Sequence, residues 1–273
     1  MKRILLLSLS FVTTTLFAQG IKLETGKKIT TSTSTTMDMD MGMAGKMKIL
    51  GTTTNLIEIT GADDKNYKAT NTITKMLISQ DGMGQTVSFD SDKKADRESE
   101  VGKGMSGMLD VAAKVTIDKN TGKVTEIDKK IIEPTDSNPM ASLMGSGAAN
   151  TAEGTTAAAF FYIPKDKKIG DVWSDSVNEA GMKGIKNFEL KSIDDKSATI
   201  AIKTKSKGTI SKEIQGMQMD IAMDGTGEGI IIVDTKTSLV KKSTANNDVS
   251  GTLDMMGQSI PLTLKMTSKT EFK

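Results

Sequence analysis

Lys28-Ile29-Thr30-Thr31-Ser32-Thr33-Ser34-Thr35-Thr36-Met37-Asp38-Met39-Asp40-Met41-Gly42-Met43 is the stretch that settles the fold class. Its apolar residues fall at every second position, a spacing that a helix of period 3.6 scatters round its circumference and a pleated strand gathers on one face. On such a strand Met37, Met39, Met41 and Met43 project to one side, about 7 Å apart, and Asp38 and Asp40 to the other. Working outward, the same alternation returns at Ile57-Glu58-Ile59, Thr72-Ile73-Thr74, Val115-Thr116-Ile117 and Thr199-Ile200-Ala201-Ile202. The runs are rich in Thr, Ile and Val, the residues that suit a half-buried pleated surface.

Turn signals separate the runs: Gly42-Met43-Ala44-Gly45, Ala62-Asp63-Asp64-Lys65-Asn66, Asp81-Gly82, Asn120-Thr121-Gly122 and Asp194-Asp195-Lys196. Connections this short join antiparallel neighbours. The expectation is an all-β chain of long antiparallel meander strands in two related sheet units, as half-barrels or as a sandwich or barrel, with a short helical linker between them.

Four segments are expected. Residues 1–18 read as a secretory signal peptide: Lys2 and Arg3, then an apolar run from Ile4 to Phe17, then Ala18 before the cut. Residues 19–133 form a first β unit. Residues 134–164, rich in Ala, Gly and Ser, read as a linker with short helices, one of them capped by Asp136 or Ser137 with Pro139 in its first turn. Residues 165–273 form a second β unit. The two units echo each other. Asp118-x-x-Thr121-x-x-Val124 recurs as Asp234-x-x-Thr237-x-x-Val240, Asp63-Asp64-Lys65 as Asp194-Asp195-Lys196, and Gly26 as Gly170, in the same order.

The leader, the Thr-rich strands and the run Phe161-Tyr162-Ile163-Pro164-Lys165-Asp166-Lys167-Lys168-Ile169-Gly170-Asp171-Val172-Trp173 resemble a family of secreted Bacteroidota proteins classed only as a domain of unknown function. In that family a Pro, a few residues and then Gly-Asp-x-Trp open the second half. The resemblance implies an envelope location and a β architecture over roughly residues 20–273, and it brings no catalytic residues.

Composition narrows the chemistry. The chain has no His and no Cys, so the commonest general base, thiolate metal sites and disulfides are closed off. Without Lys2 and Arg3 its 36 basic residues become 34, equal to its 34 acidic ones, so no broad nucleic-acid surface is expected. After cleavage of the leader no transmembrane segment remains to be read. No phosphate loop, dinucleotide fingerprint or Gly-x-Ser-x-Gly motif is present, and Asp90-Ser91-Asp92 with Asp96, Glu98 and Glu100 departs from a calcium loop and reads as a solvated loop. Gly102-Lys103-Gly104-Met105-Ser106-Gly107 reads as a flexible turn. The expectation is a non-enzymatic protein without a cofactor.

Methionine is the outstanding feature, with 19 in the chain. Met37, Met39, Met41, Met43, Met217 and Met219, with Trp173 near the boundary of the halves, are the candidate lining of a site for a lipid or other hydrophobic ligand. Two alternatives use the same residues. Met can replace Leu and Phe as core filler in a scaffold that acts on an envelope protein partner, or thioethers can bind Cu(I). The expected location is exported: periplasmic, associated with the outer membrane, or secreted.

Overall fold

The computed structural model describes residues 23–273 except 83, 129–156, 158, 180, 215–216 and 256–257. The expected signal peptide and most of the expected helical linker lie outside the described residues. The chain forms β1 (Lys28–Asp40), β2 (Lys46–Ala62), β3 (Asn66–Gly82), β4 (Gln85–Asp90), α1 (Lys94–Glu98), α2 (Glu100–Ser106), β5 (Ala112–Asp118), β6 (Val124–Ile127), β7 (Val172–Glu179), β8 (Met182–Ile193), β9 (Ala198–Ile214), β10 (Met217–Val233), β11 (Val240–Met255) and β12 (Gln258–Phe272). All strand pairs are antiparallel, as the short turns require. They join into one 12-stranded sheet in the order β6-β5-β3-β2-β1-β12-β11-β10-β9-β8-β7, with β4 against the far end of β3. The two expected units are therefore halves of a single open sheet. Pairing of β1 with β12, from Thr31↔Phe272 to Asp40↔Thr263, joins them.

That sheet curls on itself. Eleven strands laid flat would put the edges β6 and β7 about 48 Å apart at ~4.8 Å per strand. Yet Lys123, next to β6, has its Nζ 3.7 Å from Asp175 Oδ2 on β7. Glycine permits part of the curl: a Cβ at Gly251 would overlap the Ala222 carbonyl oxygen, and one at Gly208 the Gly181 carbonyl oxygen.

At the end where the edges meet, two apolar clusters fill the inside. One holds Ile29, Ile59, Tyr67, Val115, Ile117, Val124 and Phe160; the other holds Phe161, Phe188, Leu190, Ile200, Val233 and Val240. Ala157 and residues 159–161 lie between them and bond to both halves. The Ala157 amide donates to the Gly122 carbonyl (2.9 Å), the Phe161 amide to the Ser238 carbonyl (3.0 Å), and the Val240 amide to the Ala159 carbonyl (3.0 Å).

The echo between the halves is physical. Asp118 Oδ1 accepts from the Asn120 amide and from the Thr121 amide and hydroxyl; Asp234 Oδ1 accepts in the same way from Lys236 and Thr237. Asp63 takes the Lys65 and Asn66 amides, and Asp194 those of Lys196 and Ser197. Gly26 and Gly170 both have positive φ, and their amides donate to the Ile59 and Leu190 carbonyls. Just beyond each of those carbonyls the ladder slips register, between Ile59 and Gly61 and between Leu190 and Ser192.

These aspartates make acid sensitivity part of the fold. Partial burial pushes the Asp234 carboxyl up, but the Lys241 ammonium and the Thr237 and Lys236 donors outweigh it and hold its pKa below the usual value. A depressed folded pKa gives stability that is present above the unfolded pKa and lost as pH falls through the folded one. Asp234→Asn should therefore lower the urea midpoint at pH 7, and the gap from wild type should shrink as pH falls below about 4. A gap that stays constant down to pH 2.5 would contradict this role.

Two short readings are corrected. Residues 90–107 are not a solvated loop and a flexible turn but hold α1 and α2: Ser99 caps α2 by accepting the Gly102 amide (2.9 Å), and the buried Ser91 hydroxyl accepts the Met76 amide (2.9 Å). Met105 then turns into the core, as no solvated turn would.

Candidate ligand trough

Cross-strand register assigns one face of every strand to the inside. Three zones follow along it. The edge-meeting end is filled, as described above. The middle is a belt of small polar residues, with Thr31, Thr33 and Thr35 on β1 against Asn55, Thr53 and Gly51 on β2 and against Phe272, Thr270 and Ser268 on β12. The Thr33 and Thr270 hydroxyls bond across it at 2.9 Å. Asn55 is 6% exposed, and its side-chain carbonyl oxygen, like that of Asn71, has no hydrogen-bond partner.

The third zone is the open end, and there the halves differ. In the first half α2 and the turn after it supply a cover. Met105, Met108 and Leu109 pack onto Met37, Met39, Met47, Ile49, Met76, Ile78 and Phe89. In the second half Ile221, Met223, Val249, Leu253 and Leu264 lie on the same inner face, half-buried, and belong to none of the buried clusters. Met223 is flanked in register by glycines on both sides, Gly208 and Gly251, so its side chain stands over bare backbone. Further along β10 the glycines are covered: the Asn247 side chain lies over Gly227, and the Ser206 hydroxyl and Val249 approach Gly225. The result is a candidate trough: an uncovered apolar strip of Ile221, Met223, Val249, Leu253 and Leu264 beside the bare backbone of Gly208 and Gly251. Its inner end meets the polar belt, and the ion pair Lys123–Asp175 stands at the seam.

The outer face has the opposite character. Lys203, Lys205 and Lys207 on β9 oppose Glu228, Thr226 and Asp224 on β10, and Asp248 on β11 opposes Lys265 on β12, all exposed. A barrel that spans a membrane needs an apolar band on this side.

The expected lining residues fall in different places. Met37 and Met39 are on the inner face of β1, half-buried, where they pack with Met47, Met76, Met105 and Met108; thioethers here fill a core short of aromatic groups. Met41 and Met43 leave the strand. β1 ends at Asp40, whose carboxylate accepts the Gly42 amide (2.9 Å), and Gly42 at φ +58 starts a 3-10 turn that holds Met43 fully exposed. Met217 and Met219 lie on β10. Trp173 sits in the filled end, stacked on Phe188 (5.6 Å) and 6.4 Å from Phe161. The sequence reading missed Asn55, Asn71 and the trough walls. Alternating Gly in Asp224-Gly225-Thr226-Gly227-Glu228-Gly229 was the one local signal of an inner face on β10 without side chains of its own.

Among the described residues no helix is long and apolar enough to cross a membrane, and no three acidic side chains gather as a metal site. No curated protein matches the chain. In structure it is similar to lipovitellin, in a structure describing lipid–protein interactions: TM-score 0.54 and 10% identity, over 92% of this chain and 25% of that one. The chain thus spans about a quarter of the lipovitellin chain, and the likeness is one of fold. An outer membrane channel from Pseudomonas putida F1 aligns over 93% of this chain and 97% of its own at TM-score 0.27 and 8% identity. A family model matches residues 64–240, more than half of the sequence, and the chain belongs to that family of unknown function, DUF6263.

Proposed function

We propose that the protein is exported to the cell envelope and seats the apolar chain of a lipid in the second-half trough. The observation that carries this reading is the unequal treatment of one face. The first half covers its open-end apolar residues with α2 and the turn after it, and the second half leaves Ile221, Met223, Val249, Leu253 and Leu264 without a covering element among the described residues. Apolar surface held inside a charged shell is where an apolar ligand gains most by leaving water. The lipovitellin fold, in which lipid contacts are described, is compatible with this use of a curled sheet. No step of catalysis is needed.

The test is titration of the delipidated protein with a fluorescent polyene fatty acid. Saturable binding that palmitate displaces is expected. Met223→Lys, on the trough face, should weaken it at least about tenfold, the factor given by ~1.4 kcal/mol. Thr226→Lys, on the outer face of the same strand, should leave it unchanged. Absent binding, or equal loss in both variants, would overturn the reading.

A further inference from the structure

Charge is sorted between the two faces of the sheet. Lysines, aspartates and glutamates crowd the outer face. Among the described side chains on the inner faces of the strands, Asp175 and Lys186 are the two that carry charge. They stand directly opposite each other in register, Asp175 on β7 and Lys186 on β8. Each is two residues along its strand from an aromatic ring of the filled end, Trp173 and Phe188, and period two puts it on the same face as that ring.

The two charges do not simply cancel. The Asp175 carboxylate reaches across the seam to Lys123, with Nζ and Oδ2 3.7 Å apart. Lys186 forms no ion pair with a described residue. Two ammonium groups therefore stand beside one carboxylate, and the inner wall is left with an uncompensated positive charge at this point. The Lys186 side chain is exposed, so an entering molecule can reach it.

Its place relative to the trough decides what that charge can do. From Lys186 the register runs across the inner face to Thr204 on β9, Gly227 on β10 and Asn247 on β11, with the Asn247 carboxamide over Gly227. Two residues along β11 from Asn247 lies Val249, and along β10 Gly227 leads to Met223. On the pleated surface Met223 is about 10 Å across from Lys186 and about 14 Å along, a diagonal of roughly 17 Å. A polar head held at Lys186 can thus lay a long alkyl chain down the apolar strip. Sites for apolar ligands fix orientation in this way, with a few polar groups at one end of an oily lining.

We propose that Lys186 is the head-group anchor of the trough and that the ligand is a free fatty acid, its carboxylate held by the Lys186 ammonium with the Thr204 hydroxyl beside it. This rests on the trough reading and adds to it the chemistry of the polar end. One uncompensated cation matches one negative charge, and an ammonium–carboxylate bond is among the stronger hydrogen bonds. A phosphate monoester brings about −1.5 to −2 at neutral pH, more than this wall balances. An alcohol brings none and leaves the cation without a counter-charge.

Titration of the delipidated protein with a fluorescent polyene fatty acid, the alcohol of the same chain and its phosphate monoester separates head from chain. Wild type should bind the acid about tenfold more tightly than the alcohol, the lower end of what a hydrogen bond to a charged group gives. Lys186→Gln should erase that preference, weakening the acid about tenfold and leaving the alcohol within about twofold. Lys186→Arg should keep it, and Lys203→Gln, on the outer face of β9, should bind all three as wild type does. Equal binding of acid and alcohol by wild type, tighter binding of the phosphate than of the acid, or equal loss of acid and alcohol in Lys186→Gln would each overturn the anchor and leave the trough standing. Binding of none of the three by wild type would retire the trough, and the anchor with it.

Discussion

Phe160→Ala is expected to lower the unfolding free energy by about 3–5 kcal/mol, the range for emptying an aromatic site in a packed core. The ring is 2% exposed and sits among Ile59, Val115, Val124 and Ala157, with Leu239 of the other half against it. The effect should exceed that of an ordinary core truncation, because the segment that carries Phe160 is the part bonded to both halves. Its neighbours donate to Gly122 and Ser238, and the edge ion pair Lys123–Asp175 is anchored beside it. Urea unfolding followed by Trp173 fluorescence reads this directly, since the only Trp lies 6.4 Å from Phe161. Loss of less than 1 kcal/mol would mean that the segment rests on the sheet without holding its edges.

Ile59→Ala and Leu190→Ala form the second large effect, about 2–5 kcal/mol each. Both side chains are fully buried, and the two residues occupy equivalent places. Each carbonyl accepts the amide of the positive-φ Gly that opens its half, Gly26 (2.7 Å) or Gly170 (2.8 Å), and each residue precedes a register slip. If the halves are repeats in energy as well as geometry, the two variants should agree within about 1 kcal/mol in equilibrium unfolding. Because β1 and β12 join the halves in one sheet, each variant should also unfold in a single transition. A biphasic curve in which Leu190→Ala melts only one half would show that the β1–β12 seam does not couple them.

What the sequence made legible was local. Alternation in Lys28–Met43 placed Ile29, Thr31 and Met37 inside and Asp38 outside, and the Asp-x-Lys and Asp-x-x-Thr turns formed where their side chains can take backbone amides. What escaped was set by distance or competition. Pairing of Thr31 with Phe272 spans nearly the whole chain, and no local pattern announces it. The strand reading ran three residues too far because Met41 and Met43 keep the alternation, whereas Asp40 and Gly42 close a turn inside it. The Lys93–Ser106 helices are short and rich in Gly and charge, and they hold through Ser99 as cap and Met105 as anchor. The expected lining residues span both halves, with Met37 and Met39 on β1 and Met217 and Met219 on β10. Met37 and Met39 were legible as inward-facing, but their cover by α2 was not, so the open apolar face is that of Met223 and Leu253.

Native mass spectrometry of the chain purified from its own host, without detergent, tests the trough most directly. A population heavier than the polypeptide by the mass of one lipid-sized molecule is expected, released on denaturation and diminished in Met223→Lys. The bare polypeptide mass alone, with nothing in the organic extract, would contradict it.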